Sequence, residues 1–154
     1  MKKVLIVAVA VTIVIAMTGG AWAGSTPASV SATASVAGVC QVNSGGTVAF
    51  GALDQVSGAQ VNATVAQPVI WCTKGTPYTI TSDNGANKNG TTYRLKGAAN
   101  GDFITYTFSF TGSGTGSGKG TTFGAGITAS ILAGAYDNVS ADTYGDTVTL
   151  TIGY

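Results

Sequence analysis

The segment DTVTLTIGY, residues 146–154, alternates without a slip. Val148, Leu150, Ile152 and Tyr154 fall on one face, and Thr147, Thr149, Thr151 and Gly153 on the other. Period two is the spacing of a β-strand with one buried face, and no helix can gather those four apolar residues on one side. FITYTFSF, residues 103–110, repeats the pattern, with Ile104, Tyr106, Phe108 and Phe110 as its core face. Both segments demand a second layer to cover them.

The rest of the chain reads the same way. Thr, Val, Gly and Ser dominate and helix formers are scarce, which favours short strands and turns. Strands are expected over Thr47–Gly51, over Val61–Cys72 with a break near Pro68, and over Pro77–Asp83, Thr92–Lys96, Phe103–Phe110, Ile127–Leu132 and Thr147–Tyr154. Asn-Gly pairs at 84–85, 89–90 and 100–101 mark turns between them. TGSGTGSGKGTT, residues 111–122, has no apolar periodicity and reads as a long flexible loop. Short strands with turns at this spacing make an all-β, antiparallel β-sandwich.

The front of the chain is of a different kind. Lys2 and Lys3 precede an apolar run of about 14 residues, and Ala21-Trp22-Ala23 offers a small-x-small cleavage pattern. The expectation is a secretory signal peptide over 1–23, because the run is short for a membrane span of roughly 20 residues; a retained anchor is the alternative. Loss of Lys2 and Lys3 would leave Lys74, Lys88, Arg94, Lys96 and Lys119 against six Asp. Such a chain lacks the phosphate-neutralising surface that nucleic-acid binding needs. Charged residues make up only 8% of the sequence, so little opposes self-association. In an exported chain, Cys40 and Cys72 are expected to form a disulfide. With His absent and no third Cys, a metal centre is not expected.

After the leader comes ASVSATASVAGVC, residues 28–40, which alternates up to Val36 with no hairpin turn to fold it back. At the other end the alternating segment reaches Tyr154, so the expectation is that no strand of this chain follows it. If the two segments belong side by side in one molecule, the first can pair there; if geometry forbids that, the sandwich has an open groove that the N-terminal segment of a neighbouring molecule can fill.

The runs WCTKGTPYTITSDNG (71–85), YRLKG (93–97), ITYTFSF (104–110) and YGDTVTLTIGY (144–154), with Cys40 and Cys72, resemble the spore coat protein U domain family. Its members include subunits of archaic, Csu-type chaperone–usher pili. The resemblance implies an incomplete immunoglobulin-like antiparallel β-sandwich, completed by a donor strand from a neighbouring subunit. It divides the chain into a leader (1–23), a donor-strand extension (24–38) and a pilin domain (39–154). It puts the donor residues at Val30, Ala32, Ala34 and Val36, and the acceptor groove along the strand of Val148, Leu150, Ile152 and Tyr154. Gly38 would let the donor turn away from its own domain, and Tyr154 with its carboxylate would be the handle for chaperone basic residues. The partners implied are other copies of the chain or related subunits, a periplasmic chaperone and an outer-membrane usher. The place implied is a fimbrium at the cell surface, serving adhesion and biofilm formation.

Other motifs dissolve on inspection. GSGKGTT (116–122) lacks the spacing of a phosphate loop, and DNGANKNG (83–90) lacks the closing Glu of a calcium loop. The Asp residues sit beside turns and strand ends and read as solvated turn residues. Without His, no nucleophile–base pair can be assembled, and neither an enzyme, a cofactor nor a small-molecule substrate is expected. Two other readings stay open: a non-pilus coat protein of the spore or cell surface, and a monomeric periplasmic binding domain whose N-terminal segment fills its own groove.

Overall fold

Period-two patterning and frequent turns produce strands and nothing helical over residues 24–154, the part of the chain that the computed structural model describes. The leader expected over 1–23 lies outside the described residues. Residues 24–35 and Val36–Tyr154 are two separate units. In the first, every residue is exposed and none is in a strand.

The second unit holds twelve strands: β1 (Cys40–Ser44), β2 (Thr47–Ala49), β3 (Val61–Asn62), β4 (Thr64–Ala66), β5 (Val69–Cys72), β6 (Pro77–Ser82), β7 (Tyr93–Gly97), β8 (Phe103–Ser109), β9 (Ser113–Thr115), β10 (Thr128–Ile131), β11 (Tyr144–Gly145) and β12 (Leu150–Gly153). All pairings are antiparallel. One sheet has the order β11-β7-β8-β10-β3 and a second the order β12-β6-β9, with two further pairs, β1-β5 and β2-β4. The expected break near Pro68 falls between β4 and β5.

Three long runs of chain pass from one sheet to the other side by side. The run β6–β7 lies between β11–β12 and β8–β9, and it keeps the same neighbours on both sides of the switch. At the crossing point carboxylates supplement the backbone bonds from Asp83 N–H to the Thr149 carbonyl (3.1 Å) and from Ala86 N–H to the Thr147 carbonyl (2.9 Å). Asp83 Oδ1 accepts from the N–H groups of Gly85 (2.9 Å) and Thr149 (3.0 Å). Asp146 Oδ1 accepts from the Asn87 N–H (3.1 Å), and its Oδ2 accepts from the Tyr106 hydroxyl (2.8 Å). Gly85, at φ 89°, leaves room there: a Cβ would run into the Asp146 carboxylate.

The core lies between the sheets in two clusters. One gathers around Ile104, Tyr106, Ala129, Ile131 and Tyr136, the other around Ile70, Ile80, Ala125 and Ile127. Half-buried Val48 and Phe108 belong to both. On β8, Ile104 and Tyr106 are buried while Phe103, Thr105 and Thr107 are exposed, as the alternation requires.

The glycine-rich 111–122 stretch departs from the flexible loop expected of it. Its β9 pairs with β6, Thr115 opposite Pro77 and Ser113 opposite Thr79. The glycines permit close approach rather than motion. A Cβ on Gly114 would enter the Tyr78 ring, and one on Gly116 would meet the Thr73 carbonyl. Gly38 is likewise a packing glycine, since a Cβ would come within 2.8 Å of Thr76 Oγ1.

Cys40 and Cys72 stand opposite each other in the β1–β5 ladder and are joined by a disulfide, with Cys72 fully buried. The bridge closes a loop between positions 32 apart. Loop entropy for that span gives about 3.5 kcal/mol. Replacing both cysteines with serine should lower the denaturant midpoint by an amount corresponding to roughly 2–5 kcal/mol. An unchanged midpoint would show that the bridge constrains nothing.

Candidate functional site: an open apolar groove

The β-strand alternation that aims Val148, Leu150 and Ile152 into the sandwich does not finish burying them. All three remain partly exposed, while the alternating Thr147, Thr149 and Thr151 are exposed. The reason is a gap. β12 pairs only with β6, and β2 pairs only with β4, so each presents an unpaired edge. Both edges border a groove of about 1160 Å³.

The groove is floored by the core itself. Ile104, Tyr106 and Phe108 of β8 line it, with Ile70, Ile80 and Ile127 of the second cluster. One wall is Thr47–Val56, with Val48, Phe50 and Leu53 in half-buried positions. The other wall is the chain from Val139 to Val148, continued by Leu150 and Ile152. Phe50 and Phe108 sit within an aromatic group with Tyr106 and Tyr93, at ring separations of 5.1–6.5 Å. An apolar slot between two free strand edges offers backbone donors and acceptors along its length and side-chain pockets below. That is the chemistry of β-augmentation: an extended strand can add its ladder to the edge and its alternate side chains to the floor.

The structure brings together three of the four residues expected on the acceptor strand, Val148, Leu150 and Ile152. Tyr154 lies beyond β12, is 64% exposed and is not part of the groove lining. The residues expected as donors, Val30, Ala32, Ala34 and Val36, are all exposed, Val30 at 92% and Val36 at 85%. Sequence reading missed the opposite wall, Phe50 and Leu53, and the floor residue Tyr136. Phe50 follows the alternation of Thr47–Gly51, but Tyr136 sits in a loop with no periodicity to announce it.

The carboxylates read as solvated turn residues are also more than that. Asp142 Oδ2 accepts from Ala99 N–H (2.7 Å) and Asn100 N–H (3.1 Å), and Asp102 Oδ2 accepts from Ser140 N–H (2.9 Å), which ties the 98–102 turn to the groove wall. Each carboxyl is held below its ordinary 3.8: Asp83 chiefly by the Gly85 N–H, Asp102 by that of Ser140 and Asp142 by that of Ala99. The Tyr106 hydroxyl is pushed up, first by burial and then by its bond to Asp146. Among the described residues, no group of three His, Cys, Asp or Glu is placed to hold a metal ion.

A family model described as the Spore Coat Protein U domain matches residues 26–151. The chain belongs to that family. Among solved structures it is similar to the crystal structure of the CsuC–CsuE chaperone–tip adhesion subunit pre-assembly complex from archaic chaperone-usher Csu pili of Acinetobacter baumannii. The identity is 18% and the TM-score 0.48, over 77% of this chain and 40% of that one. No curated protein matches the sequence. In this Spore Coat Protein U domain, both walls of the groove apart from Ile152 belong to the span that the family model covers.

The three depressed carboxyls set a pH dependence. In the unfolded chain they take up protons at higher pH than in the fold. Their contribution to stability is therefore complete above the ordinary value and is lost as pH falls through the lowered folded values. The urea midpoint should be flat from about pH 7 to 5 and fall below about pH 4. Asp142→Asn should make that fall shallower. A midpoint that rises on acidification would contradict the assignment.

Proposed function

We propose that this protein is a structural subunit of a surface pilus, assembled by the chaperone–usher pathway through donor-strand exchange and serving adhesion and biofilm formation. One observation carries the reading: the apolar groove open between the unpaired edges of β2 and β12. A domain that exposes its own core along a strand-shaped slot is an aggregation hazard unless the slot is filled. The proposed fillers are a chaperone strand during transit and then the extension of another subunit, with Val30, Ala32, Ala34 and Val36 facing the floor. The usher would exchange one for the other at the outer membrane. Family membership supports this reading.

The side-chain contribution of such a donor is modest. Each fully buried Val adds roughly 1.5–3 kcal/mol and each Ala less. The ladder on both edges and slow escape of the threaded strand supply the remaining hold. The domain division at residues 24–38 and 39–154 belongs to the same proposal, as does Tyr154 as the chaperone's handle.

Surface-sheared material from expressing cells, run on denaturing gels with and without boiling, tests the proposal. The expected result is a ladder that collapses on boiling and is absent when residues 25–36 are deleted. Val36→Asp should also abolish it, because a carboxylate would enter an apolar slot without a partner. A single monomer band in every lane would mean that the segment does not pass between molecules, and the self-filled periplasmic domain would replace the pilus.

A further inference from the structure

The two ends of the sandwich carry opposite charge. The first end holds the loops 73–76 and 116–121, packed together by bonds from Gly75 N–H to the Gly116 carbonyl (2.9 Å) and from Gly118 N–H to the Cys72 carbonyl (3.0 Å). Its ionic side chains are Lys74 and Lys119, both exposed. The second end holds the loops 51–60, 98–102 and 132–143, joined through Gly134 N–H to the Gly58 carbonyl (3.0 Å) and through the Asp102 and Asp142 carboxylates. It carries Asp54, Asp102, Asp137 and Asp142 against one lysine, Lys96. These ends are opposite because the run β6–β7 leaves the first at Pro77 and reaches the second at Gly97. Between them Lys88 and Arg94 offset Asp83 and Asp146.

The lysine end is also where the chain enters the sandwich. Val39 N–H donates to Thr73 Oγ1 (3.1 Å), Thr73 N–H donates to the Val39 carbonyl (2.8 Å), and Gly38 lies against Thr76. A strand passed to another copy must therefore start from beside Lys74. The groove it would enter has Asp54 and Asp142 on its walls at the far end.

We propose that successive subunits meet end to end, the Lys74–Lys119 end of one against the Asp54–Asp137 end of the next, and that this contact orients the strand exchange. The proposal rests on the pilus reading. In a chain with so few charges, the placement of two lysines and four carboxylates at opposite poles is most of its electrostatic character. Contact of unlike poles is attractive and speeds encounter, whereas contact of two lysine poles is repulsive. The pairing runs the donor antiparallel to β12, entering at the carboxylate end of the groove. Gly153 pairs with Thr79, so β12 finishes toward the lysine end.

The test uses the same boiling-sensitive ladder from the full chain. Lys74→Glu with Lys119→Glu should reduce ladder yield about three- to tenfold. Adding Asp54→Lys and Asp137→Lys, both at exposed positions, exchanges the poles and should restore most of it. Absence of a ladder from the wild type overturns the pilus reading and this contact with it. A wild-type ladder that the lysine reversals leave unchanged, or that is lost and does not return in the four-substitution chain, overturns the contact alone.

Discussion

Two strand edges without a partner, β2 and β12, determine the character of this domain. A sandwich is stable when its inward side chains are covered along both margins, and here one margin is open. Val148, Leu150 and Ile152 are correctly aimed yet only half-covered, and the aromatic floor of Tyr106 and Phe108 lies in reach of the gap. A strand laid in the slot would satisfy the edge amides and the floor together. Under the proposed reading, a strand bound there stabilises the domain by mass action.

What keeps so open a sandwich together is the continuity of its sheet-switching runs. Because β6–β7, β8–β9 and β11–β12 cross between layers side by side, the layers are joined covalently three times. At the crossing the backbone bonds are fewer, and Asp83 and Asp146 accept from the amides of Gly85, Thr149 and Asn87. The disulfide fixes β1 to β5 at the end from which the N-terminal segment departs. A rigid frame with one missing element suits the donor-strand exchange proposed above.

Much of the fold was legible because it rests on period two. The faces of 103–110 and of 148–152 follow directly from alternation, and the Asn-Gly pairs at 89–90 and 100–101 mark turns, whereas Asn84-Gly85 lies where the chain crosses between sheets. The resemblance in 71–85 and 144–154 pointed to the family to which the chain belongs. Glycine is ambiguous: composition alone cannot separate glycine that confers freedom from glycine that admits a neighbour, so β9 has the composition of a loop. The Asp residues misled for a related reason. A carboxylate beside a turn looks solvated in sequence, and only the tertiary fold shows that Asp142 serves the distant amides of Ala99 and Asn100. Tyr154 continues the alternation of its neighbours, but β12 ends at Gly153, and past the last paired residue nothing directs the ring inward.

The central claim is that the slot between β2 and β12 is filled by another molecule's N-terminal segment. Hydrogen exchange measured on sheared filaments, and on the same protein after heat dissociation, tests it most directly. Slower exchange in the filament over residues 28–36, 47–50 and 146–153 together is the predicted result. Equal exchange in the two states over those three segments would contradict it.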